Sequence, residues 1–175
     1  MRTLLLLLLA VFLGAQDTTV ILVRHAERQS IWNSDSPLAE AGFQRAQALA
    51  LRLAAFRPAA LYASDLQRTR QTLAPLAARS GLVPVLFPKQ DSAGLAAAIL
   101  RDHRGQTVVV CWHHDRMKAL VRALGVCGPV PHWSYLAYDP LWIVQIPPHG
   151  SAALITGTQT EPPATVAARP APALR

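Results

Sequence analysis

The segment TTVILV, residues 18–23, constrains the fold more than any other part of the chain. Its residues are apolar or β-branched with no polar alternation, so both faces of the strand it predicts must be covered. A strand buried on both faces belongs inside a sheet with helices above and below it. The run then stops on Arg24 and His25, two side chains that carry, or can take up, positive charge. Such an ending costs desolvation unless something negative meets it.

The segments that follow alternate between helical and strand patterns. Residues 38–56 are Ala-rich with Leu49, Leu53 and Phe56 at helical spacing, and they predict a helix. Residues 60–64 predict a short strand. Residues 65–81 predict a helix capped by Ser64 or Asp65, kinked at Pro75 and closed by Gly81. VPVLF, residues 83–87, predicts an edge strand because of Pro84. A helix over 93–105 precedes a second fully buried strand, TVVVCW at 107–112, and an amphipathic helix follows over 115–125. Two terminal strands are expected within 135–146 and 151–156. The order predicts an α/β fold, a three-layer α/β/α sandwich with a mostly parallel central sheet. Trp112, Trp133 and Trp142 are expected in its core.

Both ends of the chain differ from this pattern. Met1-Arg2-Thr3 leads into LLLLLLAVFLGA, a basic start, an apolar run of about ten residues and small residues near Ala15. That is the make-up of an export signal cleaved near Ala15, with an uncleaved anchor as the alternative because Leu13 suits the cleavage site poorly. From residue 157 the sequence becomes Pro- and Ala-rich without an apolar period, which predicts a flexible tail. The expected organisation is therefore a signal peptide at 1–15, one domain at 16–156 and a tail at 157–175. The chain is expected to be exported, periplasmic or extracellular, with no membrane association beyond the export signal.

The formal net charge of +7 favours anionic partners. The arginines are spread along the chain with no aromatic-interleaved basic stripe, which argues against nucleic acid and for a small anion. Cys111 and Cys127 are expected as two separate thiols, since a strand and a following helix hold them apart.

In open α/β sheets ligands sit beyond the carboxyl ends of the strands. Arg24 and His25 end the first strand there, and Ser64, Asp65 and Arg68 follow the second. His113, His114 and Asp115 lie where the TVVVCW strand gives way to a helix, whose N-terminus itself favours an anion. Arg70 lies about 200° around its helix from Arg68 and is expected at the surface. The stretches VRHAER, DSPLAEAGFQRAQALA and LYASDLQRTRQTLAPLA, followed by a strand ending in histidine, resemble the histidine phosphatase superfamily over roughly residues 19 to 125.

That resemblance implies a phosphomonoesterase without metal or organic cofactor. His25 would be the nucleophile, forming a phosphohistidine, with Arg24 and Arg68 holding phosphate oxygens and a second histidine across the phosphate. Guanidinium forks suit phosphate geometry, and fixed cations offset the repulsion an attacking imidazole meets at a dianion. Matching the strand to members that end it Gly-His puts His113 at the second position. Matching to members with a Trp-Glu-His ending puts His114 there, and the preceding Cys-Trp favours His114. Adjacent residues diverge, so only one of them is expected to meet phosphate directly.

Three carboxylates are candidates for the proton donor: Asp115, Glu27 and Asp91. The adjacency of His113, His114 and Asp115 does not suit one tetrahedral metal ion, and no metal site is expected. The implied substrate is a small or surface-attached phosphomonoester. The rival expectation is a non-catalytic phosphate- or phosphoglycan-binding module, supported by the doubled histidine and the undefined donor.

Overall fold

The computed structural model describes residues 16–160 of the chain. The expected signal peptide and residues 161–175 of the expected tail lie outside the described residues. Ten elements follow one another: β1 (Thr18–Arg24), α1 (Glu40–Ala54), β2 (Ala60–Ser64), α2 (Gln67–Ser80), β3 (Val85–Phe87), α3 (Ser92–Asp102), β4 (Thr107–Trp112), α4 (His114–Ala123), β5 (Pro140–Ile146) and β6 (Ala153–Thr158). The strands form one sheet in the order β3-β2-β4-β1-β5-β6. The pairings β3-β2, β2-β4 and β4-β1 are parallel, while β1-β5 and β5-β6 are antiparallel. The sheet is mixed and mostly parallel, as expected.

Alternation along β1 builds both halves of the core. Val20 and Leu22 enter one apolar cluster with Leu95, Ile99, Met117, Leu120 and Trp112, from α3, α4 and β4. Ile21 and Val23 enter the opposite cluster with Leu49, Leu53, Leu73 and Leu76 from α1 and α2. Every residue of β1 is buried, which is the arrangement its unbroken apolar run demanded. Trp112, Trp133 and Trp142 are all buried, with the last two rings 4.6 Å apart. Cys111 is buried and Cys127 exposed, both as free thiols. Among the described residues no helix is long and apolar enough to cross a membrane.

Several boundaries differ from expectation. The cap of α2 is neither Ser64 nor Asp65. Leu66 holds the capping position without a side-chain bond, and Asp35 reaches across from the loop after β1 to accept the Gln67 N–H at 2.7 Å. Ser64 Oγ accepts the Leu66 N–H at 3.3 Å and also meets the end of the neighbouring strand at His113. The helix runs through Pro75 and ends at Gly81, whose φ of 70° is the left-handed conformation glycine adopts without strain. β5 begins at Pro140 rather than 135, because residues 134–138 offer carbonyls and a ring to Arg24 instead of pairing. The expected tail boundary at 157 also moves. Pairing with β5 carries β6 to Thr158, where Leu141 faces Gly157 and Pro140 faces Thr158. Gln159 beyond it is buried, donating to the Tyr138 carbonyl and accepting from Arg52.

Candidate active site

Strand order decides which chain segments meet. β2, β4 and β1 are neighbours and run parallel, so their carboxyl ends lie side by side. The register sets Arg24 against Trp112, and the His25 amide donates to the Trp112 carbonyl at 3.1 Å. His25, the first residue past β1, therefore stands beside His113, the first residue past β4. Their ring centroids are 5.4 Å apart. Both rings are buried, at 3% and 1% exposure.

The His25 ring is oriented by its own chain. Nδ1 lies 2.8 Å from the Ala26 carbonyl, which can only accept, so Nδ1 carries the proton and the Nε2 lone pair is left free. Burial, together with the charges of Arg68 and Arg24 and the presence of His113, pushes the His25 imidazole down to about 2, against the raising effect of the Ala26 carbonyl. His113 is likewise pushed down to about 2, by burial first and then by Arg68, Lys89, His114 and Arg24. Two neutral imidazoles thus face each other in a field of fixed cations. Nε2 of His113 shares a 2.8 Å hydrogen bond with Ser64 Oγ, which in turn lies 2.8 Å from Thr69 Oγ1. Ser64 and Thr69 are both buried.

The expected preference for His114 is not supported by this geometry. His114 is the first residue of α4, only half buried, and its ring stands 6.2 Å from that of Tyr135. The chain turns from strand to helix between the two histidines, so their side chains part, and His113 is the one brought to His25.

Both expected arginines are present. Arg68, in the first turn of α2, is buried and donates from Nη1 to the Ser34 carbonyl at 2.8 Å. Arg24 is buried and donates from Nη1 to the carbonyls of Tyr135 at 2.5 Å and Ala137 at 3.1 Å, while its guanidinium carbon stacks 4.0 Å above the Tyr138 ring. The Nε of each arginine is buried with no hydrogen-bond partner among the described residues. Burial holds both guanidiniums below their usual range, and each is lowered further by the charge of Arg28. Buried donors without partners beside concentrated positive charge make a site complementary to an anion.

The three expected donor carboxylates are all engaged. Glu27 takes a two-pronged bond from Arg45, at 2.7 Å to 3.0 Å, which holds its carboxyl below the usual range against the opposing effect of burial. Asp115 pairs with Lys89 at 3.1 Å, and this overrides burial in the same direction. Asp91 caps α3 by accepting the Gly94 N–H at 2.8 Å. Among the described residues no group of three His, Cys, Asp or Glu is placed to hold a metal ion.

Arg28, Lys89, Thr69 and Tyr138 were not legible as site residues in the sequence. Arg28 lies four positions beyond Arg24 in the same short motif, and that spacing was the available signal. Lys89 and Tyr138 arrive from distant loops and carry no local mark. Arg70 is exposed, as expected.

Fold and site together define a mixed α/β protein with an anion-directed cluster of two arginines and two neutral imidazoles on the carboxyl edge of its parallel strands. Residues 20–90 match the family model of the histidine phosphatase superfamily, branch 1. No curated protein matches it in sequence. Among solved structures it is similar to mycobacterial glucosyl-3-phosphoglycerate phosphatase in complex with VO3, at 19% identity and a TM-score of 0.63, over 78% of this chain and 96% of that one. It is also similar to the protein histidine phosphatase SixA in complex with tungstate, at 20% identity and a TM-score of 0.63, over 81% and 97%. A third, a mycobacterial hydrolase, shares 17% identity with a TM-score of 0.64, over 79% and 97%.

Proposed function

We propose that the protein is a phosphomonoesterase working through a phosphohistidine on His25, with no metal or organic cofactor. The observation that carries this reading is the 2.8 Å contact of His25 Nδ1 with the Ala26 carbonyl, which assigns the proton to Nδ1 and leaves Nε2 unprotonated beside two arginines with unpartnered buried nitrogens. In the first step Nε2 forms a bond to phosphorus as the ester P–O bond breaks, and the departing oxygen leaves with the bonding electron pair and takes a proton from solvent water. Water then attacks phosphorus, the N–P bond breaks, and inorganic phosphate leaves. Arg24 and Arg68 stabilise the charge on the transferring group, worth most in a water-excluded site. His113, aligned through Ser64, lies on the far side of that group. The oxyanions VO3 and tungstate in the two similar structures support an oxyanion in this pocket as well.

The engaged state of Glu27, Asp115 and Asp91 bears on the substrate. With no free carboxyl to protonate a poor leaving group, esters of acidic alcohols such as phenols are turned over fastest. The same observation favours the second reading, a phosphate-binding module without turnover. Acid-quenched incubation with radiolabelled phosphoester and peptide mapping separates the two. Label on His25, lost in His25→Ala together with p-nitrophenyl phosphate hydrolysis, supports the enzyme. Saturable phosphate binding without label or hydrolysis supports the module.

Export remains part of the proposal, on the strength of the leader-like residues 1–15. Fractionation and N-terminal sequencing of the expressed full chain test it, with cleavage near Ala15 as the expected result.

A further inference from the structure

The two arginines of the pocket each latch a loop. Arg68 holds the loop after β1 through the Ser34 carbonyl, and Arg24 holds the loop before β5 through the carbonyls of Tyr135 and Ala137. Both loops carry large apolar side chains into water. Ile31 and Trp32 are 61% and 91% exposed on the first, and Tyr135 and Leu136 are 57% and 73% exposed on the second. Single exposed apolar residues are ordinary, but four on the two loops that flank one polar pocket are a local concentration.

These loops are also built to hold their tips in place. The first is closed at its base by the Gln29 amide to the Pro37 carbonyl at 2.9 Å and pinned within by the Ser30 amide to Ser36 Oγ at 2.9 Å. The second is anchored by buried Trp133, whose Nε1 donates to the Ala137 carbonyl at 3.1 Å. A loop fixed at its base, with an indole left in water, has an apolar surface already organised for a ligand, so little ordering entropy is lost on binding.

We infer that Ile31 and Trp32 on one side, and Tyr135 and Leu136 on the other, form an apolar collar for the non-phosphate part of the substrate. The substrate class is then an amphiphilic phosphomonoester, with an aryl or alkyl body against the collar and its phosphate against Arg24 and Arg68. This rests on the phosphatase reading above. Continuity with the pocket is what assigns the collar to substrate rather than to a protein or a lipid surface: the arginine that would hold the phosphate also holds the loop that presents the apolar residues.

The test is a pair of esters with closely matched leaving groups, phenyl phosphate and 4-butylphenyl phosphate. Half-burial of four added carbons predicts about a tenfold higher kcat/KM for the butyl ester, carried by a lower KM. In Trp32→Ala/Leu136→Ala the preference falls below about threefold, as the collar is removed while the phosphate contacts remain. Equal kcat/KM for the two esters in the wild type overturns the inference and leaves the phosphatase reading standing. So does a tenfold preference that survives in the double variant. Absence of turnover with both esters, and of label on His25, removes the phosphatase reading and the collar with it. Adsorption of the wild type to phosphatidylcholine vesicles that is lost in the double variant, with equal ester kinetics, assigns the collar to a lipid surface instead.

Discussion

Lowering the pH from 8 to 5 weakens this fold through two imidazoles. His25 and His113 are neutral in the folded chain, each pushed down to about 2 by burial first and by neighbouring cations second. In the unfolded chain each titrates near its ordinary value of about 6.5. Below that value the unfolded state binds more protons than the folded one, so stability rises with pH across this window. It is complete above about pH 7 and is lost progressively as pH falls toward the folded value. At pH 5, about 1.5 units below the unfolded value, the loss is roughly 2 kcal/mol per histidine and roughly 4 kcal/mol for the pair. That is a large share of the 5–15 kcal/mol typical of a domain. His114 is lowered in the same direction and can only add to the loss. Glu27 and Asp115 are held below the usual carboxylate range, so their contribution is lost only below roughly pH 4.5, outside this window.

Urea unfolding of the folded chain at pH 8, 6.5 and 5 measures the effect. The wild type loses roughly 4 kcal/mol between the extremes, and His25→Asn/His113→Asn, which cannot take up the protons, loses under about 1 kcal/mol. Tungstate at pH 5 recovers part of the wild-type loss, because a bound anion favours the imidazolium form and binds the folded state alone. A wild-type loss below about 1 kcal/mol, or an equal loss in the double variant, would refute the argument that these imidazoles are buried neutral.

Two further outcomes follow from the same geometry. His113→Ala lowers kcat on p-nitrophenyl phosphate by about 10²-fold or more, on the scale of losing one transition-state contact, whereas His114→Ala stays within about tenfold of wild type; the reverse order of effects would restore His114 as the second histidine. Ser64→Ala removes the hydroxyl bonded to His113 Nε2 and leaves a buried ring nitrogen without its partner, costing about 1–3 kcal/mol in urea unfolding together with a fall in kcat; Ser64→Thr, which keeps a hydroxyl, recovers more of the kcat than Ser64→Ala.

The layered fold was legible because its evidence is local. β1 and β4 are unbroken apolar runs that can lie only inside a covered sheet, and β2 and β4 span the residues their patterns predict. The site was legible in outline because Arg24, His25 and Arg68 sit at strand ends and in a first helical turn, where an α/β sheet places its ligands. What failed to show in advance were the long-range partners. Asp35 caps α2 from thirty-odd positions upstream, and residues 135–138 read as strand although they serve Arg24. Neither fact leaves a trace in periodicity, since a carbonyl or carboxylate offered to a distant donor changes no local pattern.

Sequence alone determined that a buried parallel strand ends on an arginine and a histidine, and that other cations and imidazoles follow at comparable strand ends. Tertiary structure decided which imidazole of the adjacent pair faces His25, that the candidate carboxylates are already bound elsewhere, and that both arginines also hold loops. The reason is physical: backbone periodicity and burial are properties of a segment, whereas the direction of a side chain at a strand-to-helix turn, and the partner it finds, depend on what the neighbouring strands bring beside it.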